Sequence, residues 1–504
     1  MSGAGASGAG ASGAAGSGAA SPSPRDATGA PEPVAYWCET LLVDGVPTPG
    51  VRLEVGANGR LSGVTGGAEP LPGDVRLGTV LPGMANAHSH AFHRALRGRT
   101  HADGGDFWQW REAMYLAAGR LDPDRYYALA RAVFAEMLVS GWTAVGEFHY
   151  VHHRPDGSRY PRKHAMELAL AAAARDVGIR LVLLDTVYLA GGIGHPLAPE
   201  QRAFDDGSAA GWLERWNALG EALGADPDAR VSLGAAIHSV RAVPPDAIRQ
   251  VLAGLPPAVP LHIHLSEQPQ ENADCLTEYG RTPAGVLAGL GALTPRLSVV
   301  HATHLSDEDV TLIGAAGATV VMCPTTEADL GDGIGPARRL SDAGAPIALG
   351  SDQNAVVDPM LEMRGLEAGE RLASGERGRF DPASLLAAAS TNGYASLGLG
   401  ENRLRPGDLC DLVELSTRSV RTVGSAPAQL PLTATASDVL RVIVHGVIVA
   451  DSGRLVPADL VSADGAADRL PETLLREALA ALETALPTRD AALPTHDATS
   501  GDTA

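Results

Sequence analysis

Leu81-Pro82-Gly83-Met84-Ala85-Asn86-Ala87-His88-Ser89-His90 is the stretch on which the fold turns. An apolar run from Gly78 to Met84 reads as a buried strand, residues 81–87 break it, and two histidines separated by one residue follow at once. On extended chain the side chains at i and i+2 point the same way, so both imidazoles reach one ion. Standing alone, such a pair is as readily two core histidines. Here it opens a series: His238 follows the apolar run Val231 to Ile237, His264 lies in Pro260 to Leu265, His301 follows Leu297 to Val300, and Asp352 closes Ile347 to Ser351. One histidine or aspartate at a strand end is ordinarily structural, but five such positions in succession are not a chance pattern. Side chains gathered from the ends of several strands are what a parallel barrel offers at its C-terminal mouth. The set points to a metal hydrolase.

Outward from this series, residues 81–398 alternate helical and strand patterns. Amphipathic Asp124 to Leu138 precedes Thr143 to Val145, and helical Ala165 to Ala174 precedes Leu181 to Leu184. Repeated helix-then-strand order predicts a parallel sheet with crossover helices, and about eight such units close a (β/α)8 TIM barrel. Residues 33–80 instead carry short apolar runs separated by the turn signals Asp44-Gly45 and Asn58-Gly59, and residues 399–456 carry matching runs with a hairpin turn at Asp451-Ser452-Gly453. These two β pieces are expected to pair into one small β-sandwich built from both chain ends. Residues 1–32 are Gly, Ala, Ser and Pro and read as a disordered tail. Within 457–504 a helix is expected at Leu470 to Leu486, with a polar disordered tail beyond it.

At 504 residues the chain is long enough for one large domain and a smaller one. Acidic residues exceed basic ones by 59 − 39 = 20, a field that repels nucleic acid and anionic membranes and excludes both as partners. A small anionic ligand would then need arginines close by. No apolar stretch reaches the roughly 18 residues of a membrane span, and no basic n-region with an apolar core opens the chain, so a cytoplasmic protein is expected. Cys38, Cys275, Cys323 and Cys410 are far apart with no CxxC pair, which predicts buried reduced thiols rather than disulfides. Lys163 is the only lysine.

His262-Ile263-His264-Leu265-Ser266-Glu267 repeats the HxH spacing and adds a carboxylate three residues past His264. A glutamate beside a metal ligand but not bound to the metal can shuttle protons. His262 itself reads as a core histidine.

The series resembles the amidohydrolase superfamily, metal hydrolases on a distorted (β/α)8 barrel with a small β-sandwich from the two chain ends. Within it, the chain is similar to the formimidoylglutamate deiminases over about residues 34–455. The matching segments are His88-Ser89-His90-Ala91-Phe92, Phe107-Trp108-Gln109-Trp110-Arg111-Glu112-Ala113-Met114-Tyr115, Glu147-Phe148-His149-Tyr150-Val151-His152-His153 and Cys323-Pro324-Thr325-Thr326-Glu327-Ala328-Asp329-Leu330-Gly331-Asp332-Gly333. HxH and HxxE mark only the superfamily, whereas the second and fourth segments are far more specific. The resemblance implies one Zn2+ per chain on His88, His90, His264 and Asp352. It also implies catalysis by Glu267, His301 and Asp352, with the division of proton transfer among the three left open. His93, Arg111, Tyr150, His238 and Arg241 are implied as the substrate-binding side chains, and a homodimer acting on a small molecule, N-formimino-L-glutamate in histidine degradation, as the functional unit. The charges agree, since a dicarboxylate calls for guanidinium forks. Many relatives bridge two metals with a carboxylated lysine, but Lys163 lies in a helix approach rather than a strand, which favours a single metal.

Two departures stand out. His93 occupies a position where the family usually has Gln, and Gln353-Asn354 follows Asp352 where Ser-His is common. The Trp108/Trp110 pair beside Arg111 reads either as core or as a wall over the substrate. The rival readings are another single-metal deaminase, acting on a guanine-like ring or another formimino or guanidino acid, and a catalytically silent scaffold. The scaffold is disfavoured because such members lose metal ligands that are all present here.

Overall fold

The computed structural model describes residues 34–100, 107–224, 230–456 and 470–484. The tails read as disordered, 1–32 and the stretch beyond the last helix, lie outside these residues. Four strands open the chain: β1 (Ala35–Val43), β2 (Val46–Val55), β3 (Leu61–Thr65) and β4 (Val75–Pro82). Eight more alternate with helices: β5 (Met84–Ser89), β6 (Trp142–His149), β7 (Arg180–Val187), β8 (Val231–Ile237), β9 (Leu261–Leu265), β10 (Leu297–His301), β11 (Thr319–Met322) and β12 (Ile347–Leu349). The last four are β13 (Leu412–Leu415), β14 (Val439–Val444), β15 (Val447–Asp451) and β16 (Arg454–Leu455).

β5 to β12 form one parallel sheet in chain order. Every residue of β6 and β7 is buried, as expected of strands covered by helices on one face and barrel interior on the other. The helices are set by local signals. Pro123–Ser140, for example, starts at Asp122, whose carboxylate accepts from the Arg125 N–H, and stops at left-handed Gly141. The ring closes through two backbone bonds, His90 N–H to the Asp352 carbonyl and Asp352 N–H to the His88 carbonyl, both 3.0 Å. The Asn86 side chain adds two bonds to Ser351, at 2.6 and 2.9 Å. Gly350 makes this approach possible, because a Cβ there would sit 2.7 Å from the His88 carbonyl oxygen. The barrel is therefore joined at this seam by a bridge rather than a full ladder, which is the distortion.

The chain ends build the second sheet, in the order β16-β15-β14-β13-β4-β1-β2-β3. Its pairs are antiparallel except β1 with β4. The eight strands are hydrogen-bonded as one continuous sheet around its own apolar core of Tyr36, Leu41, Leu53, Leu77 and Leu412 among others. The run expected as one barrel strand, Gly78 to Met84, is divided between the two sheets. β4 ends at Pro82 in the end-strand sheet, and β5 begins at Met84 in the barrel and carries His88 within it. Residues 84–87 therefore extend a strand rather than break one. Gly83 marks the crossing, where a Cβ would come within 2.7 Å of Asp411, Thr143 and Tyr394. The two sheets are fixed to each other beneath the barrel by fully buried Arg180, which donates from Nε and Nη2 to Asp411 at 3.0 and 2.9 Å. The C-terminal helix, Pro471–Glu483, lays Leu474, Leu475, Ala478 and Leu482 into the main core. Among the described residues no helix is long and apolar enough to cross a membrane. All four cysteines are buried and free.

Candidate active site

The strands aim their C-terminal ends at one point. His88 lies in β5 with His90 one residue beyond it, His264 lies in β9, His301 ends β10, and Asp352 follows β12. The chain leaves these ends through left-handed backbone at Ser266 (φ 49°), His301 (70°), Asp352 (43°) and Asn354 (57°). Such angles are costly for residues with a Cβ and concentrate at functional sites. Four ring or carboxylate atoms converge: His88 Nε2 to His264 Nε2 is 3.2 Å, His90 Nε2 to His264 Nε2 is 3.4 Å, and Asp352 Oδ1 lies 3.4 and 3.5 Å from His88 and His90 Nε2. Two ligands about 2.05 Å from a tetrahedral zinc stand about 3.3 Å apart. The donor set fits one such ion.

The outer nitrogens support that reading. His90 Nδ1 donates to the Phe148 carbonyl (2.8 Å) and His264 Nδ1 to the His238 carbonyl (3.0 Å), which leaves each Nε2 lone pair facing the centre. Burial and then the charge of His88 push the His90 pKa down to about 3, and burial lowers those of His88 and His264 well below the usual histidine range. Neutral imidazoles are the form that binds metal.

Beside this cluster stand the groups that could move protons. His301 Nε2 is 3.7 Å from Asp352 Oδ2 and 3.8 Å from Glu267 Oε1, too far for direct bonds but within reach of one intervening group. Its Nδ1 faces Glu327 Oε1 at 3.4 Å, and the same oxygen accepts from the Cys323 N–H at 2.9 Å. Burial works against charge on His301, yet Glu267, Glu327 and Asp352 together raise its pKa to about 10. Glu327 sits inside a quoted motif but carried no expected role. Its helix, Pro324–Leu330, follows the short strand β11, and nothing in its spacing from His301 announces the contact.

A cavity of about 230 Å³ opens over the cluster. His90, His93, Arg111, Tyr150, His238, Arg241, His264, Glu267, His301 and Asp352 all line it, so every expected site residue except the deeper His88 reaches the wall. His93 Nε2 lies 3.1 Å from the Tyr150 hydroxyl, and burial depresses its pKa, leaving a neutral ring. Trp110 is buried and meets His93 edge-on at 5.0 Å between centroids, so this tryptophan is part of the wall. The Trp108 side chain lies outside the described residues. Arg111 donates from Nε to the Tyr115 hydroxyl at 2.8 Å, and Gln201 donates to both Tyr115 and Tyr188. Those last three residues carried no expected role, although Tyr115 ends a quoted motif, because a hydroxyl or amide on a helix or past a strand end gives no sequence signal of its own. Arg241 donates from Nη2 to Glu267 at 3.0 Å and faces Glu271 across 3.4 Å.

Residues 79–451 match the amidohydrolase family. The chain belongs to that family. This amidohydrolase is a hydrolase of carbon–nitrogen bonds. It is 39% identical over 392 residues to the formimidoylglutamate deiminase of Pseudomonas aeruginosa, covering 76% of this chain and 86% of that one. It is 29% identical over 389 residues to the 8-oxoguanine deaminase of the same organism, covering 76% and 84% of the two chains. Among solved structures it is similar to an amidohydrolase from Brucella melitensis, with a TM-score of 0.78, 30% identity, and coverage of 89% of this chain and 100% of that one.

Two features of this amidohydrolase bear on its metal. The Gln353-Asn354 departure is built into the site: Asn354 Nδ2 donates to the His90 and Asp352 carbonyls at 3.0 and 3.1 Å, and Gln353 Nε2 donates to Asp329 at 2.7 Å. An amide thus braces two of the four donors. A second buried trio, His149, His152 and Glu167, is also compact enough for an ion. There, however, Arg215 pairs with Glu167 (3.1 Å), Asp185 and Asp206 (both 2.8 Å), so a fixed cation already balances these carboxylates. Lys163 is exposed in the turn before Ala165–Val177 and does not line the cavity.

Proposed function

We propose that this amidohydrolase is a deaminase that hydrolyses N-formimino-L-glutamate to N-formyl-L-glutamate and ammonia in histidine degradation, with one zinc per chain on His88, His90, His264 and Asp352. One observation carries the reading: a single cavity joins this donor set to two guanidinium groups, Arg111 and Arg241. Guanidinium groups in the cavity of a chain with net charge −20 are what a dicarboxylate ligand calls for. The 39% identity to the Pseudomonas aeruginosa deiminase supports the same substrate. A cytoplasmic homodimer is proposed on the family resemblance and the four free thiols.

Bound zinc supplies a Lewis acid that makes water nucleophilic near neutral pH. The rest is the work of the chain. Arg111 and Arg241 each take one carboxylate of the substrate, Tyr150 and His93 add hydrogen bonds, and His238 closes the wall beside the formimino group. These contacts hold the formimino carbon over the donor cluster as a near-attack geometry. Asp352 receives the proton of the attacking water, and His301 beside it, a cation with its pKa raised to about 10, steadies the negative charge that develops on the attacking oxygen. Glu267 delivers a proton to the departing nitrogen, so that ammonia leaves and the carbonyl of the formyl product forms. Acid–base assistance of this kind is worth about 10² to 10⁴ in rate.

The alternative is a ring deaminase, favoured by the 29% identity to an 8-oxoguanine deaminase. Arg111→Met separates the two. A substrate carboxylate left without its guanidinium costs about 1 to 3 kcal/mol or more, so kcat/KM for formiminoglutamate should fall roughly tenfold to several hundredfold with zinc content unchanged. A ring substrate has no carboxylate for Arg111, and activity untouched by the substitution would overturn the formimino-acid reading.

A further inference from the structure

Arg241 stands between two acids. Its Nη2 donates to Glu267 Oε2 at 3.0 Å, its Nε faces Glu271 Oε2 at 3.4 Å, and Glu271 is fully enclosed. Its side chain is 19% exposed, and that exposure is to the cavity. A guanidinium grips a carboxylate on two bonds either through Nε and Nη2 or through its two terminal nitrogens. Nη2 belongs to both arrangements. Nη2 has two N–H groups, so an incoming carboxylate shares that nitrogen with Glu267, and three carboxylates around one guanidinium leave like charges within a few ångströms of each other, a repulsion that favours release of Glu267.

We infer that Arg241 is a shared group: a bound carboxylate takes it from Glu267, and the exchange frees Glu267 for the reacting nitrogen. The inference rests on the formimino-acid reading of the pocket and deepens it. One Glu267 oxygen is held by Arg241 while the other, Oε1, lies 3.8 Å from His301 Nε2. With a ligand anion on Arg241, both Glu267 oxygens face the chemistry, and Glu271 keeps the guanidinium in place at Nε. A substrate's carboxylate then contributes to turnover as well as to affinity, because a formimino compound without it leaves Glu267 tied down. Selectivity for acids enters through the acid–base group itself.

Calorimetric titration of glutarate into the zinc-loaded protein tests this without relying on turnover. If Glu267 competes for Arg241, Glu267→Gln should bind glutarate at least about tenfold more tightly than the parent, equivalent to about 1.4 kcal/mol. Glu267→Ala should do the same. Asp274→Asn, which removes an equal charge from an exposed residue of the cavity wall that pairs with Gln270 and not with Arg241, should change the affinity by less than about threefold. Equal glutarate affinity in the parent and both Glu267 variants overturns the exchange, as does a gain in Asp274→Asn matching theirs, which would mark a general charge effect. An absence of glutarate binding to every protein also overturns it. Should glutarate behave as expected while formiminoglutamate is not hydrolysed, the exchange stands and the substrate assignment falls.

Discussion

At the scale of single residues, the chemistry depends on carboxylates that touch donors without being donors. Glu267 lies three residues past His264 and reaches Arg241 and the His301 side of the cavity, not the donor cluster. Glu267→Gln should keep its metal and lose at least about a hundredfold in kcat; a variant that loses its zinc in elemental analysis would make Glu267 a ligand. Glu327 acts through His301. It is a positioning residue, bonded to the Cys323 N–H and facing His301 Nδ1. Glu267, Glu327 and Asp352 raise the His301 pKa to about 10 against burial, so removing the Glu327 charge lowers it. Whether His301 acts as base or as acid, the limb of the pH profile that it governs moves to lower pH. Glu327→Gln should show that shift together with a kcat about tenfold or more below the parent, while KM stays near its original value. An unchanged pH profile would reduce Glu327 to a structural cap of its helix.

At the scale of elements, the seam between β5 and the segment after β12 holds both the fold and the site. Gly350→Ala places a methyl 2.7 Å from the His88 carbonyl, so the strand must shift and carry His88 with it. The expected outcome is a folded protein with strongly weakened zinc retention, read by circular dichroism and metal analysis together. Full retention would show that the seam tolerates the displacement. The convergence of these strand-end residues was legible in the sequence because strand geometry imposes it, whereas the choice of His88, His90, His264 and Asp352 over His238 and His301 came from the family resemblance. Side chains two apart share a face, and parallel strands end together, so histidines after successive apolar runs had to converge. The crossing at Gly83 was not legible, because β4 and β5 are both apolar and continuous, and only the packing of Asp411, Thr143 and Tyr394 divides them. Nor was the Arg241–Glu267 bond, which joins residues 26 positions apart on different loops. Such pairings depend on loop paths that hydrophobic periodicity does not encode.

At the scale of the whole molecule, two sheets of eight strands, one closed and one wrapped around its own core, place a metal-competent centre at the barrel mouth. The Arg180–Asp411 anchor lies at the opposite end, so stability and chemistry are separated along the barrel axis. The chain carries a net charge of −20, and Arg111 and Arg241 place two cations among the acids of the cavity, where the proposed dicarboxylate would enter. The central claim joins these parts: this chain releases ammonia from N-formimino-L-glutamate by means of one zinc. The most direct measurement is ammonia release from formiminoglutamate by the purified protein, with its metal content determined on the same sample, before and after chelation and after zinc is restored. The expected result is one zinc per chain, turnover that vanishes on chelation and returns with zinc, and no comparable ammonia release from guanine-like rings. A protein that holds two tightly bound metals, or that releases ammonia from a purine ring and none from formiminoglutamate, would contradict the account.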